Sequence, residues 1–128
     1  MQIKRLLYIE DSLEKYMDVS RVLRRLNITD IEWATTAEKA MTLIEKGYKN
    51  NSPFDVVLSD MHFDYFGIDD HEAGEKLMKL VHEKGYDIPF VFCSSQNWKI
   101  PESMGNVFYN PRRNWEIEME NLFKEINR

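Results

Sequence analysis

A chain of 128 residues with 22 acidic and 17 basic side chains carries a net charge of −5, which argues against a nucleic-acid surface. Its 43% hydrophobic content is enough for a core, so residues 1–128 are read as one domain. A single cysteine, Cys93, rules out an intrachain disulfide and fits a reducing cytoplasm, and the few apolar residues before Glu10 are too short for a signal peptide or a membrane span.

In chain order, Leu6-Leu7-Tyr8-Ile9 is a continuous apolar run that stops at Glu10-Asp11, the pattern of a strand buried on both faces. Asp11 or Ser12 can cap the helix that follows. Leu13, Tyr16, Met17, Leu23 and Leu26 share roughly one face of it, with Arg21, Arg24 and Arg25 mostly outside. Ile31-Glu32-Trp33-Ala34 is a short strand. Thr35 and Glu38, three apart, read as a capping box for a second helix, which carries Ala37, Ala40, Met41 and Ile44 to Gly47. Val56-Val57-Leu58 is a third buried strand, closed by Asp60. A helix resumes near Glu72 or Ala73, with Leu77, Leu80 and Val81 inward, and ends at Gly85. Pro89 precedes a fourth strand, Phe90-Val91-Phe92-Cys93, which runs into Ser94-Ser95. Val107-Phe108-Tyr109 is a fifth, ended by Asn110-Pro111, and Trp115, Met119, Leu122, Phe123 and Ile126 mark a last helix.

Strands that alternate with helices imply an α/β fold, a doubly wound parallel sheet with right-handed crossovers. Ligands bind such sheets beyond the carboxyl ends of the strands. Glu10, Asp11, Asp60, Ser94 and Asn110 all share that address. Crowded carboxylates raise one another's pKa unless a counterion intervenes. A hard divalent cation removes the conflict, because magnesium takes oxygen ligands and keeps waters that a substrate phosphate can replace. The set therefore points to a metal-dependent phosphoryl site. Taken singly, Asp11 could be only a helix cap and Asp60 only a strand end.

On these residues the sequence resembles the receiver domain of bacterial two-component response regulators, the chemotaxis-regulator type of fold. Glu10-Asp11 follow the first strand, Asp60 the third, Ser94 the fourth and Pro111 the fifth, and Ile88–Ser95 is similar to the family's fourth strand. The resemblance covers nearly the whole chain. It implies a (βα)5, flavodoxin-like five-stranded sheet in the order 2-1-3-4-5. It makes Asp60 the phosphoacceptor, attacking a phosphohistidine on a sensor histidine kinase or phosphotransfer protein. Glu10, Asp11, Asp60 and the backbone carbonyl of His62 would hold magnesium, or manganese in its place. Ser94 would bind a phosphoryl oxygen and act as the switch, and small Ser95 would leave the pocket accessible. A carboxylate is a competent nucleophile towards a phosphoramidate, and phosphoryl transfer relies on positioning and charge neutralisation. A hydrogen bond made only once the phosphoryl arrives gives a two-state switch. The resemblance implies a cytoplasmic, stand-alone signalling domain rather than an enzyme, capable of self-catalysed transfer and autodephosphorylation within a phosphorelay. It would act on an unknown downstream protein, without direct nucleic-acid contact or membrane insertion.

Three departures bear on this reading. The family's lysine before the proline is Asn110 here, which has amide donors but no charge. Arg112 or Arg113 could reach back as a replacement cation, and the Asn110–Pro111 bond is a cis candidate. The segment Met61–Gly74 is about six residues longer than the family loop, if Gly74 takes the place of the family glycine. It carries Phe63, Tyr65 and Phe66 as candidate lid or partner contacts, and acidic Asp69-Asp70 beside His71. Finally, only Gln96–Asn106 fills the place of the fourth helix, and Pro101 and Gly105 break helices, so that helix should be short or absent, with Trp98 filling part of the gap. Val107 stands where the family carries a switch aromatic. These departures also allow a phosphorylation-independent pseudo-receiver that works by protein contact. An aspartyl phosphatase is disfavoured, because His62 stands where such enzymes need a second aspartate.

Overall fold

The computed structural model describes residues 1–128. The elements are β1 (Arg5–Ile9), α1 (Leu13–Arg25), β2 (Asp30–Ala34), α2 (Ala37–Lys49), β3 (Val56–Ser59), β4 (Phe63–Tyr65), β5 (Ile68–Asp70), α3 (Ala73–Glu83), β6 (Phe90–Ser94), β7 (Gly105–Phe108) and α4 (Trp115–Ile126). Five strands form a parallel sheet in the order β2-β1-β3-β6-β7, while β4 and β5 pair with each other as an antiparallel hairpin. With the hairpin set aside, this is the expected 2-1-3-4-5 order.

The continuous apolar runs are explained by helices on both faces of the sheet. Successive residues of a strand point to opposite sides. Leu7, Ile9, Val57, Phe90 and Phe92 join the core under α2 and α3. Their neighbours Leu6, Tyr8, Val56, Leu58, Val91 and Cys93 join the core under α1 and α4.

The inward stripe of α1 differs from the expected one. Leu13 and Met17 are 58% and 60% exposed. The buried positions are Lys15, Val19, Ser20, Val22 and Leu23. That stripe has helical spacing, but it begins on a lysine, and an apolar pattern search starts it on the wrong residues. The cap of α1 is Ser12, whose Oγ accepts from Lys15 N at 3.2 Å. The cap of α2 is Thr36 rather than Thr35: Thr36 Oγ1 accepts from Lys39 N at 3.1 Å, from an extended backbone one residue later than the expected box.

The segment after Asp60 is a folded hairpin, not an open loop. Phe66 and Gly67 both have positive φ, 53° and 94°, as a two-residue type I′ turn requires. Asp64 Oδ1 accepts from Gly67 N at 2.8 Å and closes the turn. A parallel bridge between Thr36 and Asp64 ties the hairpin to the start of α2. Phe63 is fully buried in the α2/α3 core and Tyr65 packs against that core, so of the three candidate lid aromatics Phe66 alone is exposed.

No helix lies between β6 and β7, as the breakers predict. Ile100 is buried in the α2/α3 core, and Trp98 packs against that core half-buried. No cis peptide bond occurs, which corrects the expectation for Asn110–Pro111. No helix is long and apolar enough to cross a membrane.

Candidate functional site

Strand register assembles the site. Ile9 of β1 pairs with Ser59 of β3, and Ser59 pairs with Phe92 of β6. One residue further along, Glu10, Asp60 and Cys93 therefore stand on a common level at the carboxyl rim. Asp60 N donates to Ile9 O at 2.9 Å, which holds the rim together after the ladder ends. One carboxylate oxygen from each of Glu10, Asp11 and Asp60 falls within a 4.8 Å cluster. Glu10 is buried, Asp60 half-buried and Asp11 exposed. Gly74, in the first turn of α3, packs on the same rim and donates its N–H to Met61 O at 3.0 Å. A Cβ at Gly74 would lie 2.5 Å from the Asp60 carbonyl oxygen, so the close approach of α3 requires glycine.

The unforeseen member is Lys15. Its ammonium reaches in from α1 and lies 2.9 Å from Glu10 Oε1, 3.2 Å from Asp60 Oδ1 and 2.7 Å from Cys93 O. The Cys93 carbonyl accepts a hydrogen bond from the ammonium, and the two carboxylates hold it as ion pairs. The Tyr109 ring lies 5.4 Å from the same nitrogen, and its hydroxyl donates to Asp18 on α1 at 2.8 Å. Burial acts to lower the Lys15 pKa, but the acidic groups packed around it, the Asp60 and Glu10 carboxylates among them, outweigh burial and raise it. Burial also raises the Glu10 carboxyl; Lys15 opposes the rise and Asp60 adds to it, and the balance stands at about 7.

The oxygens of the cluster are unequally committed. Glu10 Oε1 receives Lys15 and the Tyr8 hydroxyl, and Oε2 receives Ser12 N. Asp60 Oδ1 receives Met61 N at 2.7 Å besides Lys15. Asp60 Oδ2 and the Asp11 carboxylate accept no hydrogen bond. This all-oxygen donor set, with uncommitted oxygens on Asp60 and Asp11, fits a hard divalent cation.

Asp11, Asp60, Ser94, Ser95, Trp98, His62 and His71 line one cleft. Ser94 is buried, and its Oγ accepts from Gln96 N at 3.2 Å. His62 lines the cleft, held by Asp69 on β5 at 2.8 Å and tilted against His71 with ring centres 4.2 Å apart. The hydrogen bond to Asp69 raises the His62 pKa. Asp70 turns away from the cleft to pair with Lys76 and to cap Glu72 N.

Asn110, Arg112 and Arg113 stand outside this constellation. Asn110 Oδ1 accepts from Arg112 N at 2.9 Å, and Arg113 pairs with Glu118 while lying over the Phe108 ring. The Arg113 guanidinium is thus directed to Glu118, and the positive charge in contact with the rim carboxylates is that of Lys15. The signal for it in the sequence was a lysine on the apolar stripe of the first helix, at the spacing of Val19, Val22 and Leu23.

No family model matches the chain, and no curated protein matches it. Solved structures do. The signal receiver domain of an HD-domain-containing protein from Pseudomonas fluorescens superposes with a TM-score of 0.70 at 14% identity, over 97% of this chain and 94% of that one. The chain has the receiver-domain fold. The receiver of NarL from Mycobacterium tuberculosis matches with a TM-score of 0.69 at 15% identity, covering 99% of this chain and 98% of that one. Chemotaxis regulator CheY4 of Vibrio cholerae gives 0.66 at 19%, over 96% and 98%. The receiver of the histidine kinase CKI1 from Arabidopsis thaliana, solved in complex with Mg2+ and BeF3−, gives 0.64 at 17%, over 96% of this chain and 89% of that one.

Proposed function

We propose that this receiver fold accepts a phosphoryl group on Asp60 from a phosphohistidine of a partner kinase or phosphotransfer protein, and passes the signal on by protein contact in the cytoplasm. One observation carries the reading. Asp60 stands at the carboxyl rim with Oδ1 tied down and Oδ2 free, next to two further carboxylates whose oxygens cluster within 4.8 Å. Oδ2 is then the nucleophile, oriented by the bonds to Oδ1. Glu10, Asp11, Asp60 and the His62 carbonyl are the groups that would hold magnesium or manganese, which when bound supplies charge neutralisation for the phosphoryl oxygens. Ser94, across the cleft, offers a hydroxyl to a phosphoryl oxygen, and Ser95 beside it is small and exposed.

The test is incubation with Mg2+ and a small-molecule phosphodonor, read by intact mass, with Asp60→Asn as control. The reading expects one phosphoryl adduct that Asp60→Asn abolishes, and a stable complex with beryllofluoride. Absence of both refutes it. The second reading, a pseudo-receiver that never carries phosphate, is favoured by one observation: Lys15 already bridges Glu10 and Asp60 and satisfies part of their charge. The same experiment decides between the two.

A further inference from the structure

Lys15 does more than a buried helix residue needs to do. A lysine on an inward stripe is expensive to bury unless all its donors are met. Here its three partners stand on one level, one step past the paired residues Ile9, Ser59 and Phe92: Glu10 and Asp60 just beyond their strands, and Cys93 within β6. The Cys93 carbonyl is a neutral anchor. The other two partners are carboxylates of the candidate phosphoryl site. The grip on Asp60 is on Oδ1, the oxygen that also receives Met61 N, and it leaves Oδ2 bare. Charge is balanced accordingly. With all three carboxylates ionised, they and Lys15 carry a net of two negative charges, which one divalent cation cancels. Without Lys15 a third charge would be left over. Asn110 is uncharged, the Arg113 guanidinium is held by Glu118, and no contact brings Arg112 to the carboxylates.

We propose that Lys15 is the phosphoryl-binding cation of this site, supplied from α1, and that it exchanges partners during transfer. The inference rests on Asp60 being the phosphoacceptor. Asp60 Oδ2 forms a bond to phosphorus, and the phosphorus–nitrogen bond of the donor phosphoramidate breaks. The electron pair stays on the leaving nitrogen, which takes a proton from solvent. The new phosphoryl oxygens then lie beside an ammonium already held on the same carboxylate. Lys15 gives up Oδ1 and takes a phosphoryl oxygen, keeping its bond to Cys93 O. Before transfer it also holds Glu10 Oε1, so Lys15 and the metal compete for Glu10. Loss of Lys15 therefore has two effects of opposite sign: tighter metal binding and slower transfer. A lysine that served only to stabilise the fold would not separate them.

The experiment compares the native chain with Lys15→Met, using Mg2+ alone and then phosphoramidate at saturating Mg2+. Lys15→Met is expected to bind Mg2+ about tenfold more tightly and to form the Asp60 adduct at least about tenfold more slowly, the scale of one charge-assisted hydrogen bond. Transfer at the native rate overturns the role in phosphoryl binding, and an unchanged Mg2+ affinity overturns the competition for Glu10. If Lys15→Met does not fold, the native chain labelled with 15N-lysine decides. With Mg2+ and beryllofluoride, the Lys15 ammonium should show a fluorine contact, and an ammonium without one overturns the proposal. A native chain that forms no Asp60 adduct sinks the phosphoacceptor reading and this inference together. A native adduct formed equally fast by Lys15→Met sinks this inference alone.

Discussion

Replacing Gly74 by alanine tests how the site is held. The added Cβ would lie 2.5 Å from the Asp60 carbonyl oxygen, 2.9 Å from a Phe92 ring carbon and 3.1 Å from the Met61 Cα. Ordinary contact begins at 3.4 Å, so the first approach is short by about 0.9 Å, and two of the three neighbours are backbone that cannot turn aside. The start of α3 must lift off the rim, weakening the Gly74 N to Met61 O bond and displacing Asp60. Overpacking of this kind costs about 1–3 kcal/mol. Alanine returns at most about 1 kcal/mol through helix propensity. The net expectation is a loss of about 1–2 kcal/mol, or about 4–8 °C in Tm. Urea unfolding followed by tryptophan fluorescence measures it, with an unchanged m-value as the sign that folded and unfolded states keep their compactness. Gly85→Ala is the control. Its φ is 87° and nothing lies within 4 Å, so it carries a conformational cost of about 1 kcal/mol without a clash. Gly74→Ala should slow formation of the Asp60 adduct, and Gly85→Ala should not. A Gly74→Ala protein as stable as the native one would refute the close approach of α3 to Asp60.

Three other outcomes are expected. Phe66 holds φ = 53° at the hairpin tip while 44% exposed, so Phe66→Asn should stabilise the protein by about 0.5–1 kcal/mol in the same urea assay, because asparagine tolerates the left-handed region. Glu10 is raised from an ordinary 4.5 to about 7, so the folded state holds its proton longer than the unfolded one; this group's contribution is fully present below about pH 4.5 and declines as pH rises to about 7, by on the order of 3 kcal/mol. Glu10→Gln should flatten that decline in unfolding measured from pH 5 to 8, saturating Mg2+ should offset it in the native chain, and Mg2+ affinity should rise with pH up to about 7. Cys93 is buried with its thiol pushed up to about 12, so labelling by a thiol reagent across a urea series should follow global unfolding.

Strand ends were the most legible part of this protein. Apolar runs that stop on Glu10-Asp11, Asp60 and Ser94 place those residues at one rim of a parallel sheet without coordinates, because alternation of strands and helices leaves few ways to wind the chain. The absent fourth helix was equally legible, since Pro101 and Gly105 act locally. The hairpin was harder. Its strands are three residues each and acidic, and its turn depends on a phenylalanine accepting positive φ, which no propensity favours.

By itself, the sequence determined the α/β winding, the rim and the carboxylates on it, because those follow from short-range periodicity and chain order. Tertiary structure alone decided which cation serves the rim. Pattern reading looked for it near Asn110, in the neighbouring arginines, and counted the first helix as an apolar stripe with charges outside. Lys15 belongs to the buried stripe only because residues 10, 60 and 93, from three different strands, converge on the end of its side chain with two ion pairs and a hydrogen bond. A buried charge is tolerated where distant partners meet it, and that meeting is a property of the packed sheet and helix together.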